Sequence, residues 1–554
     1  MSNQPKPNRI LVIGGVAGGA SCAARLRRLL EDAEIVVFER GPDVSFANCG
    51  LPYFVGDVIQ DRENLLVATP EIFRERFEID VRVHTEVTRI DRASKTVEVL
   101  KRTSGERYQE PYDTLVLAPG AQPVRPPLPG IDLPGLFTVR NIPDTDVIRA
   151  WLDEHQPKRA VVIGGGFIGL EMAENLVHRG LHVTLIEMLP QVMGPMDAEM
   201  VATVHQALQD NGVDLHLNCA VSGFERGDSS PLMVKTKSGL TFPADLVILG
   251  IGVRPEVTLA KDAGLELGQR GGIRVDDQMR TSDPDIFAVG DAIEVRDFIT
   301  GEWTAIPLAG PANRQGRLAA DVIAGRDERF RGVQGTSVCG LFGITVASTG
   351  ANEKTLKRAG IPYDKVYVYG SDHVTYYPGS EPIELKLLFS PDDGKVLGAQ
   401  ATGRSGVDKR IDVLAMAIQM GSTVYDLEQC ELCYAPQFGA AKDPVNMAGF
   451  IAANHLREDS PLAYWEDYEK YKDNPPMILD VRDEDEVEQF RVPGSVHLPL
   501  GQLRNRLKEL PRDREIWVHC GMGQRSYYAV RVLRHHGFQA RNLTGAMKLY
   551  QALN

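Results

Sequence analysis

The sequence predicts an α/β chain with two nucleotide-binding folds, an α+β domain and a final α/β domain. Three observations carry this prediction. A strand, a glycine-rich turn, a helix and a second strand occur at the start of the chain and recur about 150 residues later. From about Gly335 the order changes to successive strands followed by a helix, which is typical of an α+β domain. The last 80 residues or so alternate strand and helix again.

Each nucleotide-binding fold begins with an apolar run closed by glycines, as expected of a buried parallel strand. In the first fold, "RILVIGG" is followed by the helical spacing of "AGGASCAARLRRLLED" and by the strand "AEIVVFER", which ends at Glu39. In the second fold, "KRAVVIGGGFIGLEMAENLVHRGLHVTLIEML" repeats this order and its second strand ends at Glu187. The stretch "DIFAVGDAIE" resembles "YDTLVLAPGAQP" but follows the second fold. We therefore predict that one nucleotide domain is interrupted by the other.

These patterns place the domain boundaries. A polar and aromatic stretch that ends in two prolines predicts a linker before the last domain. The predicted segments are 1–122 and 255–334 for the first nucleotide domain, 123–254 for the second with its connecting segments, 335–454 for the α+β domain, 455–476 for the linker and 477–554 for the last domain.

Composition excludes several classes of protein. The 554 residues carry a formal net charge of −14, which argues against a general binder of nucleic acid or anionic membranes. Seven cysteines in a chain of this length do not make a disulfide framework. The start lacks the apolar core of a signal peptide, and no apolar run is long enough to span a bilayer. We expect a cytoplasmic protein with reduced thiols.

The second glycine turn matches a dinucleotide-binding fingerprint. Gly164, Gly166 and Gly169 form GxGxxG between a strand and a helix, where backbone N–H groups can approach a pyrophosphate. The carboxylate of Glu187 can bond a ribose 2′-hydroxyl and would repel a 2′-phosphate. Met188 follows it, so no arginine stands next to Glu187 to receive such a phosphate. The turn therefore predicts NADH rather than NADPH.

The first glycine turn departs from the fingerprint. Gly14 and Gly19 fit, but Val16 occupies the position of the second glycine. Glu39 at the end of the next strand supports a dinucleotide site, and Asp291 in "AVGDA" is well placed for the ribityl chain of a flavin. Two Rossmann-like folds imply two dinucleotides, FAD in the first and NADH in the second.

Cys49 stands alone in "SFANCGLPYF", and the next cysteine is Cys219. It lies just past the second strand of the first fold, where a loop can reach a flavin ring. A thiolate there can receive electrons from a flavin or attack a sulfur atom, and Ser45 and Asn48 can orient a substrate. The alternative is a small buried hydrophobic residue. The polar and glycine neighbours argue against that alternative.

A second candidate thiol is Cys520 in "HCGMGQRSYY". It follows the strand "IWV" and opens a loop that contains Gly521, Gly523 and Arg525 and leads into a helix. Successive N–H groups in such a loop form an anion-binding nest, which stabilises a thiolate or a persulfide. The alternative is a plain strand-to-helix turn.

Two further groups of residues are ambiguous. Cys430 and Cys433 form CxxC, but no second CxxC and no paired histidines accompany them. We predict two ordinary thiols and no metal site, with a redox pair as the alternative.

The first helix ends in three arginines, Arg25, Arg27 and Arg28. They form either a solvated helix face or a contact for the phosphates of an anionic substrate.

Together these motifs resemble a known family. "GGVAGG", "SFANCGLPYF", "GGGFIGLE", "AVGD" and "CYAPQFGAAKDPVN" are similar to those of the pyridine nucleotide–disulfide oxidoreductases, and within them to the single-cysteine coenzyme A-disulfide reductase branch. "ILDVRDEDEVEQF" and "HCGMGQRS" resemble a rhodanese domain, although "FRVPGSVHLP" lacks its common glycine–histidine pair. The combination resembles the coenzyme A-disulfide reductase–rhodanese fusions, some of which are NADH-dependent persulfide reductases.

The resemblance implies a role for individual residues. It implies a homodimer, formed through residues 335–454, in which the partner subunit brings tyrosines at positions 376 and 434 to the active site. The implied catalytic residues are Cys49, Cys520, Tyr376, Tyr434 and Arg525. The implied FAD contacts are Gly14, Gly15, Ala17, Gly18, Gly19, Glu39, Arg40, Asn48, Ala118, Gly120, Asp291, Ala309 and Tyr434. The implied NADH contacts are Gly164, Gly166, Phe167, Ile168, Gly169, Glu171 and Glu187. The implied coenzyme A contacts are Ser21, Arg25, Arg28, Ser45, Asn48 and Lys442.

We therefore expect an FAD-dependent NADH oxidoreductase that reduces sulfane sulfur or coenzyme A disulfide through Cys49. The sulfane sulfur would come from coenzyme A persulfide, another small persulfide or polysulfide, and Cys520 would carry it as a persulfide. Coenzyme A would be either a substrate or a bound carrier. One alternative is coenzyme A-disulfide reduction as the main role. Another is an NADH oxidase or peroxidase, in which Cys49 cycles through a sulfenic acid. A sulfurtransferase or a redox-sensing scaffold is the alternative from a different class.

Overall fold

The computed structural model describes residues 7–227, 231–471 and 475–553. It divides into two compact units, which are described separately. One contains the residues up to Gly194 together with Leu208–Gly335, and the other contains Pro195–Ala207 and the residues from Thr336 onward. Within the described ranges, no helix is both long and apolar enough to cross a membrane. Residues 472–474 of the predicted linker lie outside the described residues.

The first unit contains three successive groups of elements, except that residues 202–207 of the helix Ala202–Asp210 belong to the second unit. The first group is β1 (Arg9–Ile13), α1 (Ala17–Arg27), β2 (Glu34–Phe38), α2 (Leu51–Val55), α3 (Pro70–Phe77), β3 (Asp80–Arg82), β4 (Thr85–Asp91), β5 (Thr96–Lys101), β6 (Arg107–Pro111), β7 (Thr114–Leu117) and β8 (Ala121–Pro123). The second is β9 (Leu136–Phe137), α4 (Ile142–His155), β10 (Arg159–Ile163), α5 (Phe167–His178), β11 (His182–Ile186), α6 (Ala202–Asp210), β12 (Asp214–His216), β13 (Val221–Glu225), β14 (Leu232–Thr236), β15 (Thr241–Ala244), β16 (Leu246–Leu249) and β17 (Val253–Pro255). The third is α7 (Thr258–Asp262), β18 (Ile273–Arg274), β19 (Ile286–Ala288), β20 (Ile293–Arg296), β21 (Trp303–Thr304) and α8 (Ala309–Ile323).

The first nucleotide-binding fold is a parallel sheet in the order β19-β7-β1-β2-β3. In β1, Ile10 pairs with Ile35 on one side and with Thr114 on the other. Strand β19 comes from the chain after the second fold, yet its Phe287 pairs with Val116 of β7. The apolar strands are buried, as expected of a parallel sheet covered on both faces. The first sheet is thus completed by a strand that follows the second fold in sequence.

The second nucleotide-binding fold is a parallel sheet in the order β12-β11-β10-β16-β9. Its central strand β10 pairs Val161 with Thr184 of β11 and with Val247 of β16. The smaller sheets of this unit are β4-β5-β6, β13-β14-β15, β8-β17 and β18-β20-β21.

The second unit contains two further groups of elements. The first is β22 (Ser337–Leu341), β23 (Ile344–Gly350), α9 (Glu353–Ala359), β24 (Asp364–Ser371), β25 (Pro382–Phe389), β26 (Val396–Gly403), α10 (Val407–Met420), α11 (Val424–Gln429) and α12 (Pro444–Leu456). The second is β27 (Leu462–Ala463), β28 (Met477–Asp480), α13 (Glu484–Gln489), β29 (Val496–His497), α14 (Leu500–Arg506), β30 (Ile516–His519), α15 (Gln524–His535), β31 (Ala540–Leu543) and α16 (Ala546–Leu553).

The two groups of the second unit form different sheets. The first is an antiparallel sheet in the order β22-β23-β26-β25-β24, and the second is a parallel sheet in the order β27-β31-β30-β28-β29. The predicted fold class, two nucleotide-binding α/β folds followed by an α+β and an α/β domain, is confirmed. Part of the predicted linker is itself a strand of the last sheet, because the buried Leu462 and Ala463 pair with Asn542 and Leu543.

A fully buried ammonium group lies in the α+β domain. The Nζ of Lys386, in β25, lies 2.8 Å from Asp197 Oδ2 and 2.5 Å from Glu353 Oε1, and it also pairs with Glu199. These carboxylates are near enough to one another to hold a metal ion, but the lysine supplies the positive charge. Burial alone would raise the pKa of Glu353, but Lys386 and Lys365 outweigh it and hold that pKa below its usual range. The network joins the segment at 197–199 to β25 and α9.

We expect Lys386→Met to destabilise the chain by about 3–5 kcal/mol, because it leaves buried carboxylates without their counter-ion. The matched control is Lys357→Met, since Lys357 also pairs with Glu353 but is largely exposed. That control should cost less than about 1 kcal/mol. Urea-induced unfolding followed by circular dichroism measures both values. Equal losses in the two variants would show that the buried network does not stabilise the fold.

Candidate functional site

Both glycine turns depend on backbone contacts that leave no room for a side chain. Gly14 has φ +97°, and a Cβ there would lie 2.1 Å from the carbonyl oxygen of Ala118. A Cβ on Gly19 would lie 1.9 Å from the carbonyl oxygen of Gly14. In the second fold, Gly164 has φ +102°, and a Cβ on Gly169 would lie 1.9 Å from the Gly164 carbonyl oxygen. The turns therefore bring each helix N-terminus against the end of its strand.

In each fold, a glutamate after the second strand accepts hydrogen bonds from backbone N–H groups of the glycine turn and of its own loop. Glu39 accepts the N–H of Gly15 at 3.0 Å and the N–H of Gly41 at 2.8 Å. Glu187 accepts the N–H of Gly165 at 2.6 Å and the N–H of Leu189 at 2.8 Å. These bonds fix each carboxylate at the carboxyl end of the second strand, where a dinucleotide ribose binds in this type of fold.

A cavity of about 500 Å³ opens at the first turn, within the usual size range of a ligand pocket. Of the predicted FAD contacts, the following line it: Gly14, Ala17, Gly18, Glu39, Arg40, Asn48, Ala118, Gly120 and Asp291. Gly15 and Gly19 lie behind the lining, where the backbone turns. Ala309 begins α8 one turn before Ala312, and it is Ala312 that lines the cavity. Tyr434 belongs to the second unit.

The two turns differ at the position of the middle glycine. In the second fold, Gly166 is exposed, and a Cβ placed on it would meet nothing within 4 Å. Protein packing therefore does not require glycine there, which fits a ligand that approaches the backbone. In the first fold, Val16 takes this position and lines the cavity. Phe167 and Ile168 follow Gly166 in the first turn of α5 and are half-buried. The residues present fit a dinucleotide at each turn.

Cys49 lies in a short 3₁₀ helix, Asn48–Gly50, that leads directly into α2. The residue is exposed and its thiol is free. Desolvation by surrounding atoms, then the charges of Glu171 and Asp291, raise the pKa of Cys49 above its usual value. Asp291 lines the first cavity, and Glu171 lies on α5 of the second fold. The thiol therefore lies within the electrostatic reach of both nucleotide-binding folds.

Glu171 is the most perturbed carboxyl group near this thiol. Burial raises the pKa of Glu171 to about 7, against the opposing effect of a hydrogen bond from Tyr53. The hydroxyl of Tyr53, in α2, donates to Glu171 Oε1 at 3.5 Å. A carboxyl group with this pKa changes its charge near neutral pH, which is typical of a proton-handling residue.

The predicted coenzyme A contacts of the first unit have different surroundings. Arg25 pairs with Asp321 at 2.8 Å, and Ser21 donates a hydrogen bond to Asn313. Arg28 is exposed. Arg27 differs from its neighbours, because it is buried and donates to backbone carbonyls, so the three arginines do not form one basic face. Ser45 has φ +48°, an uncommon value outside glycine that often marks a functional loop.

The two predicted catalytic tyrosines meet in the second unit. The hydroxyls of Tyr376 and Tyr434 lie 2.9 Å apart, and the two residues are 73% and 47% exposed. Their loops are held by a buried ion pair, Arg410–Asp443, at 2.7 Å. Arg410 also donates to the carbonyl of Asp372, at the base of the Tyr376 loop, at 2.7 Å. Lys442, next to Asp443, is exposed.

Cys520 is buried at the start of the loop that precedes α15. Its Sγ accepts the N–H of Gly523 at 3.1 Å and lies 3.5 Å from Ser526 Oγ. Gly523 has φ +104°, which turns the backbone amide toward the sulfur. Arg525 pairs with Asp483 and Glu486 of the α13 region. The loop provides the backbone donor that the sequence predicts.

Cys430 and Cys433 are free thiols on the loop between α11 and α12. Cys433 is exposed, and the carbonyl of Cys430 accepts a hydrogen bond from Asn446 at 2.8 Å. Sequence reasoning did not single out Tyr53, Arg410, Asp483 and Glu486, which contact the candidate site residues or support their loops. A local signal exists for Asp483 and Glu486, which form the D-x-x-E capping box of a helix.

Comparison with known proteins agrees with this architecture. Residues 8–316 match the family "Pyridine nucleotide-disulphide oxidoreductase", residues 336–443 match the dimerisation domain of that family, and residues 465–553 match the rhodanese-like domain. The chain therefore belongs to the pyridine nucleotide-disulphide oxidoreductases and carries a C-terminal rhodanese-like domain.

Individual relatives show which members of this family the chain resembles. The coenzyme A disulfide reductase of Staphylococcus haemolyticus is 37% identical over 80% of this chain and 99% of its own length. The structure of reduced CoADR-RHD from Bacillus anthracis is 49% identical with a TM-score of 0.97 and covers 100% of this chain and 99% of its own. A NAD-dependent persulfide reductase from A. fulgidus is 38% identical with a TM-score of 0.89, covering 98% of this chain and 100% of its own. The predicted resemblance is confirmed.

The charge of Glu171 gives a prediction about Cys49. We expect Glu171→Gln to lower the pH at which Cys49 becomes reactive. The reason is that Glu171 is ionised throughout the alkaline range in which Cys49 titrates, so its charge opposes the thiolate. The measurement is the rate of iodoacetamide alkylation of Cys49 against pH, located by peptide mass spectrometry. Glu174→Gln, on the same helix, is the control, and an equal shift in both variants would contradict the assignment.

Proposed function

We propose that this chain is an FAD-containing, NADH-dependent reductase of coenzyme A persulfide, other small persulfides or polysulfide, and of coenzyme A disulfide. One observation carries the proposal. The exposed thiol of Cys49 lies close enough to Asp291, in the first nucleotide cavity, and to Glu171, on the helix of the second fold, for their charges to raise its pKa. A lone thiol between two dinucleotide sites can exchange electrons with a cofactor and sulfur with a substrate.

The cofactor sites follow from the two glycine turns. Glu39, Asp291 and the glycine turn at Gly14 would hold FAD, and Glu187 with the turn at Gly164 would hold NADH. Bound FAD supplies a two-electron connection between NADH and a sulfur atom. The chain itself positions both nucleotides, and Glu171 holds or releases a proton beside Cys49 near neutral pH.

The sulfur chemistry belongs to Cys49. Its thiolate attacks one sulfur of a disulfide or the sulfane sulfur of a persulfide, a new S–S bond forms at Sγ, and a thiolate leaves. Coenzyme A disulfide yields a mixed disulfide and one coenzyme A thiolate, whereas a persulfide yields a cysteine persulfide and the parent thiol. Ser45 and Asn48 would orient this substrate, and Ser21, Arg25, Arg28 and Lys442 would contact coenzyme A.

The remaining proposed roles need a second subunit and the last domain. The match to the dimerisation domain supports a homodimer, in which Tyr376 and Tyr434 of one subunit serve the Cys49 site of the other. Cys520 would accept sulfane sulfur, hold it as a persulfide with the help of Arg525, and pass it to coenzyme A.

Coenzyme A-disulfide reduction as the main role is the second candidate, favoured by the curated relatives that cover 80% of this chain.

Side-by-side kinetics of two cysteine variants test the assignment. We expect Cys49→Ser to abolish NADH oxidation, followed at 340 nm, with both coenzyme A disulfide and coenzyme A persulfide, because no thiolate remains to attack sulfur. Cys520→Ser should keep the reactions with coenzyme A disulfide and coenzyme A persulfide, which reach Cys49 directly, and should reduce the reaction with glutathione persulfide in the presence of coenzyme A. Cys433→Ser, which also removes an exposed thiol, is the control and should retain all three reactions. Unchanged reduction of glutathione persulfide by Cys520→Ser, with sulfurtransferase activity lost, would exclude the relay.

Nucleotide preference tests the role of Glu187. We expect Glu187→Gln combined with Met188→Arg to raise the ratio of kcat/KM for NADPH over NADH by about tenfold or more. The change removes a carboxylate that repels a 2′-phosphate and adds a guanidinium that can bind one. Steady-state rates with each nucleotide give the ratio. Glu174→Gln should leave it unchanged, and an unaltered ratio in the double variant would place the ribose elsewhere.

A further inference from the structure

The loop that begins at Cys520 carries a single charged side chain, and this residue is already paired. From Cys520 to Arg525 the sequence is CGMGQR, so Arg525 is the only cation that the loop itself offers. Its Nη1 lies 2.9 Å from Asp483 Oδ2 and 2.5 Å from Glu486 Oε2, and its Nη2 lies 2.7 Å from Glu486 Oε1. Two carboxylates thus face one guanidinium, which leaves a net negative charge beside the loop.

The carboxylate of Glu486 stays charged at neutral pH. The hydrogen bond from Arg525 lowers the pKa of Glu486 below its ordinary value. Bidentate pairing of this kind also fixes the orientation of the guanidinium toward Glu486. The charge of Arg525 still acts on Cys520, but two carboxylates offset it for an anion that approaches the loop.

The helix that supplies these carboxylates is itself anchored. Arg482 is buried and pairs with Asp480 at 2.7 Å. It also donates to the backbone carbonyls of Glu486 at 3.2 Å and Phe490 at 2.7 Å, at the two ends of the last turn of α13. Because α13 is held in this way, Glu486 cannot move far from Arg525.

The other side chains of the loop and of the first turn of α15 are uncharged, and Lys548, whose backbone N–H donates to the Gly521 carbonyl at 3.3 Å, pairs with Glu384. Met522 is 63% exposed and Tyr528 is 46% exposed, and Gln524 donates to the Tyr528 hydroxyl at 3.0 Å. Thiosulfate would bring two negative charges to this surface, next to an excess carboxylate. An organic persulfide brings at most one negative charge on its terminal sulfur, and its carbon chain can contact Met522 and Tyr528.

We propose that Cys520 takes its sulfur from organic persulfides in preference to thiosulfate, and that Asp483 and Glu486 set this preference. The inference rests on the sulfur-accepting role proposed for Cys520. In the transfer, the Cys520 thiolate attacks the terminal sulfur of RSSH and a new S–S bond forms at Sγ. The old S–S bond breaks, RS⁻ leaves, and the proton stays on the new persulfide. No external oxidant or reductant takes part.

The test measures the addition of one sulfur atom to Cys520 by intact-protein mass spectrometry. It uses the full-length Cys49→Ser chain without NADH, with thiosulfate or glutathione persulfide as donor, and the chain that lacks both Cys49 and Cys520 as background. We expect Asp483→Asn with Glu486→Gln to raise the thiosulfate rate by about tenfold and to change the persulfide rate by less than about twofold. Asparagine and glutamine still cap a helix, so α13 should remain folded.

Glu488→Gln, an exposed charge on the same helix, is the matched control and should change neither rate. In the unsubstituted loop, the thiosulfate rate should rise with ionic strength, because salt screens the repulsion. A thiosulfate rate that is unaffected by the double substitution, or that falls with added salt, would overturn the proposal. An equal increase with both donors would also overturn it. Failure of NADH-dependent reduction at Cys49 does not alter any of these readouts.

Discussion

The nucleotide-binding sites of this chain depend on one close backbone contact, made between the first glycine of each turn and the glycine five residues later. Any side chain on Gly19 or Gly169 would collide with the carbonyl of Gly14 or Gly164. This contact brings the helix N-terminus to the end of the strand, where Glu39 or Glu187 can bind the turn's own N–H groups. The cavity, its acidic residue and the approach of a ligand to the backbone all follow from that geometry.

Local patterns predict this part of the molecule well. The apolar runs predict β1 and β10, and the carboxylates of Glu39 and Glu187 lie at the ends of their strands, bonded to the glycine turns, as the sequence order predicts. Sequence patterns cannot predict contacts whose partners lie far away in the chain. Lys386 is one lysine within an apolar strand, and its burial depends on Asp197, 189 residues earlier. Arg25 and Arg27 are near neighbours in sequence, yet one pairs with Asp321 and the other bonds backbone carbonyls.

The two reactive cysteines have opposite local surroundings. Cys49 is exposed, and desolvation and nearby carboxylates oppose its ionisation. Cys520 is buried and receives a backbone N–H at its sulfur. The raised pKa means that the described residues disfavour the thiolate of Cys49. The N–H of Gly523 at Cys520 Sγ instead suits a site where sulfur is held as a persulfide anion.

Acidic residues nevertheless lie near the sulfur atoms of both cysteines, and this shared feature limits the negative charge that a substrate can bring to either sulfur. Glu171 and Asp291 raise the cost of negative charge at Cys49, and Asp483 and Glu486 neutralise the cation at the Cys520 loop. Arg28, which follows α1, and Lys442, which precedes α12, are exposed cations and are the residues proposed to contact the phosphates of coenzyme A. A substrate that suits this charge pattern has a weakly charged sulfur at one end and anionic groups at the other. Coenzyme A disulfide and coenzyme A persulfide meet this requirement, whereas thiosulfate is a small dianion with no separate uncharged part.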